Sequence, residues 1–210
     1  MKKILKAAER FFRVDLSNIA PSSIWLTIGK TIDTGLALLL AIALARYLSK
    51  DVYGEYRYVL SLIGIFGIFT LPSIGTSITR SVARGYAGTF RKGALYIFLG
   101  SIGLGMVSVI SALYFYMTNN LPLASAFAIT ALLIPLVEGL GSWRPFLDGS
   151  KEFKKKAYRN TISNIFHMVL MACAIGFIYT SSAPPLFALS LMVSAYLLGN
   201  GIPNVIFFLK

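Results

Sequence analysis

The sequence predicts an all-α, polytopic membrane protein, a bundle of about six transmembrane helices. Of its 210 residues, 56% are hydrophobic and only 13% are charged, whereas about a quarter of the residues are charged in a soluble domain. The apolar residues gather in six segments, each close to the roughly 20 residues with which a helix crosses a bilayer. Because lipid offers no partner for backbone polar groups, such segments are expected to be helices.

The first of the six segments is the least regular. The segments run approximately over Ile24–Ala45, Tyr56–Ser77, Gly93–Met117, Pro122–Trp143, Thr161–Thr180 and Pro185–Leu209. Lys30 and Asp33 lie inside the first one, and each costs about 2.5–3.5 kcal/mol near the centre of a membrane helix. The Leu- and Ala-rich run that follows them offsets much of this cost, so a first span is still expected.

The distribution of Lys and Arg predicts that both termini lie in the cytoplasm. With the N-terminus inside, the cytoplasmic segments hold sixteen of the 20 Lys and Arg residues and the outer loops hold three. Cytoplasmic loops of membrane proteins carry such an excess of positive charge. The net charge of +12 is therefore explained by topology in the cell membrane, and no basic patch remains that would indicate binding of nucleic acid.

Residues 1–20 form the first of two predicted regions, and residues 21–210 form the helical bundle. The stretch KKILKAAERFFRVDL can gather its apolar side chains on one face of a helix, with Lys and Arg on the others. This pattern is typical of an amphipathic helix on the inner leaflet. A targeting or partner-binding role is the alternative. Asn18 and Pro21 predict that this helix ends before the first span.

No motif of an enzyme stands out. The chain has one histidine, His167, and one cysteine, Cys173, so neither a His-cluster metal site nor an internal disulfide is expected. No glycine-rich phosphate loop and no Ser/His/Asp arrangement is present, so the sequence predicts no cofactor, no metal and no catalytic residue.

Polar residues within the spans are candidates for function because their burial in lipid is costly. Thr27, Lys30, Thr31 and Thr34 recur at helical spacing and form one stripe on the first span, with Asp33 on an adjacent face. One interpretation is that the stripe lines an aqueous cavity. The alternative is that Lys30 extends to the cytoplasmic headgroups and pairs with Asp33.

Further polar residues are predicted at a similar depth in the cytoplasmic half. Glu138 lies near the cytoplasmic end of the fourth span, His167 lies early in the fifth, and Arg80 and Arg84 follow the second. For Glu138 the alternative is simple pairing near Arg144, and for His167 it is a hydrogen bond between packed helices. The two arginines could serve topology or contact an anionic headgroup.

Three stretches resemble the polysaccharide flippase family. ALARYLSKDVYGEYRYVLSLIGIF resembles its junction between the first two spans, LPSIGTSITRSVAR the end of its second helix, and FLDGSKEFKKKAYRN its loop between helices four and five. The resemblance covers about residues 22–175. The chain departs from the family at Ser49-Lys50-Asp51, where Gly-Pro-Glu is usual, at Pro72, where an acidic residue is common, and at Asp148, where Gln is common.

The resemblance implies a flippase that moves a lipid-linked oligosaccharide, on a polyprenyl pyrophosphate, across the cytoplasmic membrane. Family members have twelve to fourteen helices in two halves, and this chain resembles the N-terminal half only. Lys30, Arg80 and Arg84 are then candidates for binding the substrate headgroup, and Asp33 and Glu138 for an ion-coupling site.

Two other functions remain open under the same resemblance. A half-length multidrug or cation antiporter would use Asp33 for coupling. The second of these functions is that of a non-transporting subunit of a glycan-export complex. The missing half of a transporter could be a second copy, as in a homodimer, a separate partner, or sequence outside this chain.

Overall fold

All regular elements are helical in the computed structural model, which describes residues 16–181 and 183–209 and their side chains from Thr27 onward. The helices are α1 (Leu16–Tyr47), α2 (Lys50–Phe66), α3 (Ser73–Ala83), α4 (Thr89–Met117), α5 (Leu121–Val137), α6 (Trp143–Gly149), α7 (Phe153–Ser181) and α8 (Pro185–Leu209). Short 3-10 turns, Gly67–Thr70 and Gly139–Ser142, connect α2 to α3 and α5 to α6. The predicted all-α class is confirmed.

Five or six of these segments can cross a membrane by length and composition. Thr27–Tyr47, Thr89–Met117, Leu121–Gly149, Phe153–Ser181 and Pro185–Leu209 qualify alone. The helices α2 and α3 qualify together as a sixth span that is bent by 52°. This agrees with the number of spans expected from the hydropathy pattern.

The charged junction between the first two spans is mostly helix rather than loop. The helix α1 ends at Tyr47 and α2 begins at Lys50, six residues before the apolar segment begins at Tyr56. Ser49 caps α2, because its Oγ accepts a hydrogen bond of 3.4 Å from the backbone N–H of Val52. The polar first turns of α2 therefore extend the second span beyond its apolar part.

The second span breaks at Leu71 and Pro72. Proline has no backbone N–H and disfavours helical geometry in the residue before it, and Leu71 takes a left-handed conformation with φ of 53°. On α4, Gly100 lets the helix approach this break closely. A Cβ atom at Gly100 would lie 2.9 Å from the backbone oxygen of Phe69, so only glycine fits there.

The fourth span breaks between α5 and α6 and also packs on α4. Pro135 lies within α5, and the turn Gly139–Ser142 follows two residues after the end of that helix at Val137. A Cβ atom at Gly139 would lie 2.7 Å from the ring of Phe98 on α4. Both breaks therefore pack closely against α4, and neither Gly100 nor Gly139 leaves room for a larger side chain.

The short helices α3 and α6, which follow the two breaks, pack against each other. The Thr79 hydroxyl donates a 3.0 Å hydrogen bond to the carbonyl oxygen of Pro145. Gly149 lies so close to α3 that a Cβ atom there would be 2.7 Å from the Thr79 carbonyl oxygen. The parts of spans two and four that follow the breaks, α3 and α6, therefore pack against each other as a pair.

The core of the bundle lies around α5 and α8. Helices α4 and α7 flank this pair, and Phe127, Leu189, Met192 and Leu197 are completely buried within it. By contrast, α1 packs mainly along α7, and only 6% of its most apolar window is buried, against 44% in α8. The first span therefore lies at the edge of the bundle.

The predicted N-terminal amphipathic helix lies almost entirely outside the described residues. The described part of α1 runs without a break from Leu16 through Asn18 and Pro21 into the first span, so the helix end predicted at these two residues is not present. The division at residues 20 and 21, and the placement of residues 1–20 on the membrane surface, stay predictions.

Replacing Gly149 with Ala should lower the thermal stability of the purified protein. The new methyl group would meet the backbone of α3, and overpacking of this kind costs about 1–3 kcal/mol. Gly176→Ala on α7 is the matched control, because a Cβ there meets nothing within 4 Å. We expect a lower Tm for Gly149→Ala only. Equal Tm values for the two variants would contradict the close α3–α6 contact.

Labelling of single cysteines should reveal the predicted orientation. In a Cys173→Ala background, Thr118→Cys after α4 should react with a membrane-impermeant maleimide on intact cells. Ser150→Cys after α6 should react only after the membrane is permeabilised. Both native residues are exposed. The opposite pattern of labelling would place the N-terminus outside.

Candidate functional site

A polar cavity of about 340 Å3 opens where the two helix breaks meet α8, and we call it the break cavity. Its polar lining consists of Thr70 from the first break, Glu138, Ser142 and Arg144 around the second, and Tyr196, Asn200 and Asn204 on α8. In the predicted orientation it lies in the cytoplasmic half of the bilayer. The helix breaks thus bring two opposite charges and three α8 polar groups together at membrane depth.

Arg144 is the cation of the break cavity. Its side chain is half-buried, its Nε donates a 3.3 Å hydrogen bond to Asn160 Oδ1, and its guanidinium carbon lies 4.8 Å from the centre of the Trp143 ring. Within the described part of the chain it forms no ion pair. The hydrogen bond to Asn160 and the contact with Trp143 hold the guanidinium in place, and its remaining N–H groups can donate to an anionic ligand.

Glu138 is the carboxylate of the same cavity. It lies at the junction of α5 and the 3-10 turn, and its side chain is exposed to the cavity. No hydrogen bond or ion pair joins this carboxylate to any other described residue. Glu138 and Arg144 therefore form no direct ion pair, but the two charges lie close enough to attract each other.

Asn204 holds the second break in shape. In the 3-10 turn the N–H of Gly141 bonds to the oxygen of Glu138, which releases the carbonyl of Val137 from the helix. Asn204 Nδ2 donates a 2.6 Å hydrogen bond to that carbonyl, and Asn204 Oδ1 accepts one of 3.2 Å from Trp143 Nε1. Since Asn204 is fully buried, one amide satisfies both sides of the break and positions Glu138 and Arg144.

Arg159 connects the region around Trp143 to the C-terminal end of α8. Its Nη1 donates a 3.3 Å hydrogen bond to the carbonyl oxygen of Phe207, one of the last carbonyls of that helix. Its guanidinium carbon lies 5.8 Å from the Trp143 ring centre and 5.1 Å from that of Phe207. Trp143 is thus contacted by two guanidinium groups, which favours its fixed position.

A second polar cavity, of about 370 Å3, lies between α1 and α7, and we call it the α1–α7 cavity. Lys30, Asp33 and Thr34 line it from α1, and Asn164 and His167 from α7. Asp33 Oδ1 is buried and has no hydrogen-bond partner among the described residues. An unpartnered carboxylate oxygen can bind a cation or a proton.

His167 and Asn200 form the wall between the two cavities. His167 lines the α1–α7 cavity and Asn200 lines the break cavity, and Asn200 Nδ2 lies 3.1 Å from His167 Nδ1. The helices approach closely because α8 has Gly199 here, where a Cβ atom would lie 2.8 Å from His167 Nδ1. The hydrogen bond between helices that the sequence suggested for His167 is present, and it joins two polar sites.

The structure distributes the five residues predicted for the site over three places. Lys30 and Asp33 line the α1–α7 cavity, and Glu138 lines the break cavity. Arg80 and Arg84 are exposed at the end of α3 and line neither cavity. No ion pair joins Lys30 to Asp33 in the described residues. The roles assigned to these five residues stay predictions.

Sequence reasoning did not assign Arg144, Asn200 and Asn204 to the site. Asn200 and Asn204 are spaced to share one face of an apolar span, so the rule that marked Lys30 and Asp33 would also have marked them. The apolar segment ends at Trp143, so the sequence indicates Arg144 only as a partner of Glu138, whereas the helical span continues to Gly149.

Asn204→Leu should destabilise the fold around the second break. The change leaves the Val137 carbonyl and the Trp143 N–H without partners, and each unsatisfied buried group costs about 1–3 kcal/mol. Thr180→Val is the control, because that hydroxyl is exposed and bonds only within its own helix. We expect a large drop in Tm for Asn204→Leu and almost none for Thr180→Val. An unchanged Tm for Asn204→Leu would contradict this role of the amide.

Comparison with known proteins places the chain in a family. The family described as "Polysaccharide biosynthesis protein" matches residues 19–208, a longer stretch than the resemblance found in the sequence motifs. No curated protein and no solved structure matches the chain. Because the match spans nearly the whole chain and is consistent with the N-terminal half of a flippase, it confirms that resemblance: the chain belongs to the polysaccharide biosynthesis protein family.

Proposed function

We propose that this chain moves a lipid-linked oligosaccharide, a polysaccharide precursor, across the cytoplasmic membrane as half of a flippase. The observation that carries the proposal is the break cavity of this family member, where Arg144 forms no ion pair with any residue that the structure describes. The substrate class is an oligosaccharide on a polyprenyl pyrophosphate, and the surrounding lipid is the second partner.

The chemistry of the break cavity suits a phosphate-bearing headgroup. A charge placed in the bilayer centre without partners costs at least about 2.5–3.5 kcal/mol, so the headgroup needs a polar path. The Arg144 guanidinium can form paired hydrogen bonds with phosphate oxygens, and Asn200 lies on the same wall. This arrangement makes Arg144 a stronger candidate for the substrate site than Arg80 and Arg84, which would meet headgroups only at the membrane surface.

The α1–α7 cavity supports a separate role in coupling. Asp33 has a buried oxygen without a partner among the described residues, as a site for a coupling cation requires. Lys30 in the same cavity would remain a contact for the anionic headgroup. A half-length cation antiporter that uses Asp33 is the second candidate function, and the same unpartnered oxygen favours it.

A second six-helix unit is proposed to complete the transporter. The first span carries Lys30 and Asp33 but is only 6% buried in its most apolar window. A partner that covers this side would enclose the polar residues in a shared cavity. A second copy of this chain or a separate chain could supply it.

Arg144→Gln should reduce binding and flipping of a labelled polyprenyl-pyrophosphate sugar in proteoliposomes by roughly ten- to a hundredfold. Hydrogen bonds to a charged group contribute about 1.5–3 kcal/mol, and every 1.4 kcal/mol is about tenfold in affinity. Arg144→Lys should retain part of the activity. Lys151→Gln, an exposed cation outside the cavity, should have no effect.

Several results of this assay would change the proposal. Equal activity of Arg144→Gln and the unmodified chain would overturn the role of the break cavity. Activity that survives both Lys30→Ala and Asp33→Asn would overturn the role of the α1–α7 cavity. Flipping that requires an added second protein would support the half-transporter arrangement.

A further inference from the structure

We propose that the break cavity selects a zwitterionic headgroup, an amino sugar phosphate whose ammonium contacts Glu138 and whose phosphate contacts Arg144. The inference rests on the proposed function, because it specifies which headgroup that function would move. It gives Glu138 a place in the recognition of the substrate, in contrast to the ion-coupling role that the sequence suggested for it.

The break cavity contains one side chain of each charge. Glu138 is its carboxylate and Arg144 its guanidinium, and the other residues that line it are uncharged. A headgroup with phosphate alone is attracted by Arg144 and repelled by Glu138, and like charges placed together in a site oppose binding. A headgroup with an ammonium beside its phosphate is attracted by both side chains. The charges of the cavity therefore favour a zwitterion over a simple anion.

The walls of the cavity supply no hydrogen-bond donor to Glu138. The Thr70 hydroxyl and the Asn204 amide donate to backbone carbonyls at the two breaks, and the Asn200 amide donates to a carbonyl of its own helix. The Ser142 hydroxyl is buried and bonds to none of the described residues. A donor for the carboxylate must therefore come from a ligand or from water, and a charged donor forms the stronger hydrogen bond.

The two charges are close together without touching. Glu138 and Arg144 attract each other but form no ion pair, and they lie on the two sides of the turn Gly139–Ser142. The hydrogen bond from Arg144 Nε to Asn160 holds the guanidinium on its own side. In a 2-amino sugar 1-phosphate the ammonium and the phosphate are on neighbouring ring carbons. The charges of such a ligand are also close together, so one sugar ring can contact both side chains.

The size and polarity of the cavity favour a sugar over the headgroup of a phospholipid. Its volume of about 340 Å3 is at the low end of the roughly 300–1,000 Å3 that is usual for small-molecule sites, which suits one sugar phosphate and not a whole oligosaccharide. Tyr196 lines the cavity, and its hydroxyl bonds to none of the described residues. A sugar ring has hydroxyl groups that can bond to it, whereas phosphoethanolamine has none.

The first test compares three soluble probes on the full chain in detergent by calorimetry at pH 7. Glucosamine 1-phosphate carries the ammonium, N-acetylglucosamine 1-phosphate keeps an N–H group without the charge, and glucose 1-phosphate has neither. We expect glucosamine 1-phosphate to bind about tenfold more tightly than the other two, because a hydrogen bond between charged groups is added. This comparison uses the unmodified chain, so it does not depend on the folding of a variant.

The second test removes the charge of Glu138 with little change of shape. Glu138→Gln should bind glucosamine 1-phosphate about tenfold more weakly and glucose 1-phosphate at least as well as before, so that the preference disappears. Glu152→Gln is the matched control, because Glu152 is exposed, pairs with Lys155 and does not line the cavity. That variant should keep the preference. Equal Tm values would show that both variants are folded.

Each result bears on a separate statement. Equal affinity for the three probes, or a preference that persists in Glu138→Gln, would overturn the selection of a zwitterion and leave the proposed function intact. Tighter binding of phosphoethanolamine than of glucosamine 1-phosphate would overturn the assignment to a sugar and assign the cavity to a phospholipid headgroup. Binding of none of these phosphates would overturn the proposed function, and the selectivity with it.

Discussion

The hydrogen bond from Asn204 to the carbonyl of Val137 is the contact on which the polar site depends. A helix that breaks inside a membrane exposes backbone groups that lipid cannot satisfy. Asn204 satisfies one of them at 2.6 Å, and its oxygen holds Trp143 on the other side of the break. Glu138 and Arg144 are adjacent to these two residues, so the direction in which both charges point follows from one buried amide.

The two breaks share a physical solution. At the first break the Thr70 hydroxyl donates to the carbonyl of Gly67 at 2.7 Å, and Gly100 brings α4 against the backbone of Phe69. At the second break Asn204 and Gly139 serve the same two purposes. Polar side chains satisfy the backbone and glycines allow close packing, which lets irregular backbone border a cavity without meeting lipid. The prolines at these positions are therefore structural breaks, whatever motion they also permit.

The break cavity keeps two opposite charges near each other without an ion pair between them. Isolated charges are costly at membrane depth, and direct pairing would reduce that cost. Arg144 is instead held by Asn160 and the ring of Trp143, and Glu138 by its place at the end of α5. This arrangement leaves both side chains facing the cavity, where a ligand from outside can contact them.

The sequence by itself determined the all-α class and the number of spans, because bilayer thickness sets the length of each apolar segment. Short motifs were enough to indicate the family. The cost of polar groups in lipid was enough to select Lys30, Asp33, Glu138 and His167 as candidates for function. Only the tertiary structure decided that α1 packs along α7 and that His167 and Asn200 separate two cavities. These features depend on contacts between residues far apart in the chain, such as Asn204 and Val137, 67 positions apart. Periodicity and hydropathy describe one helix at a time, so they contain no signal for such pairs.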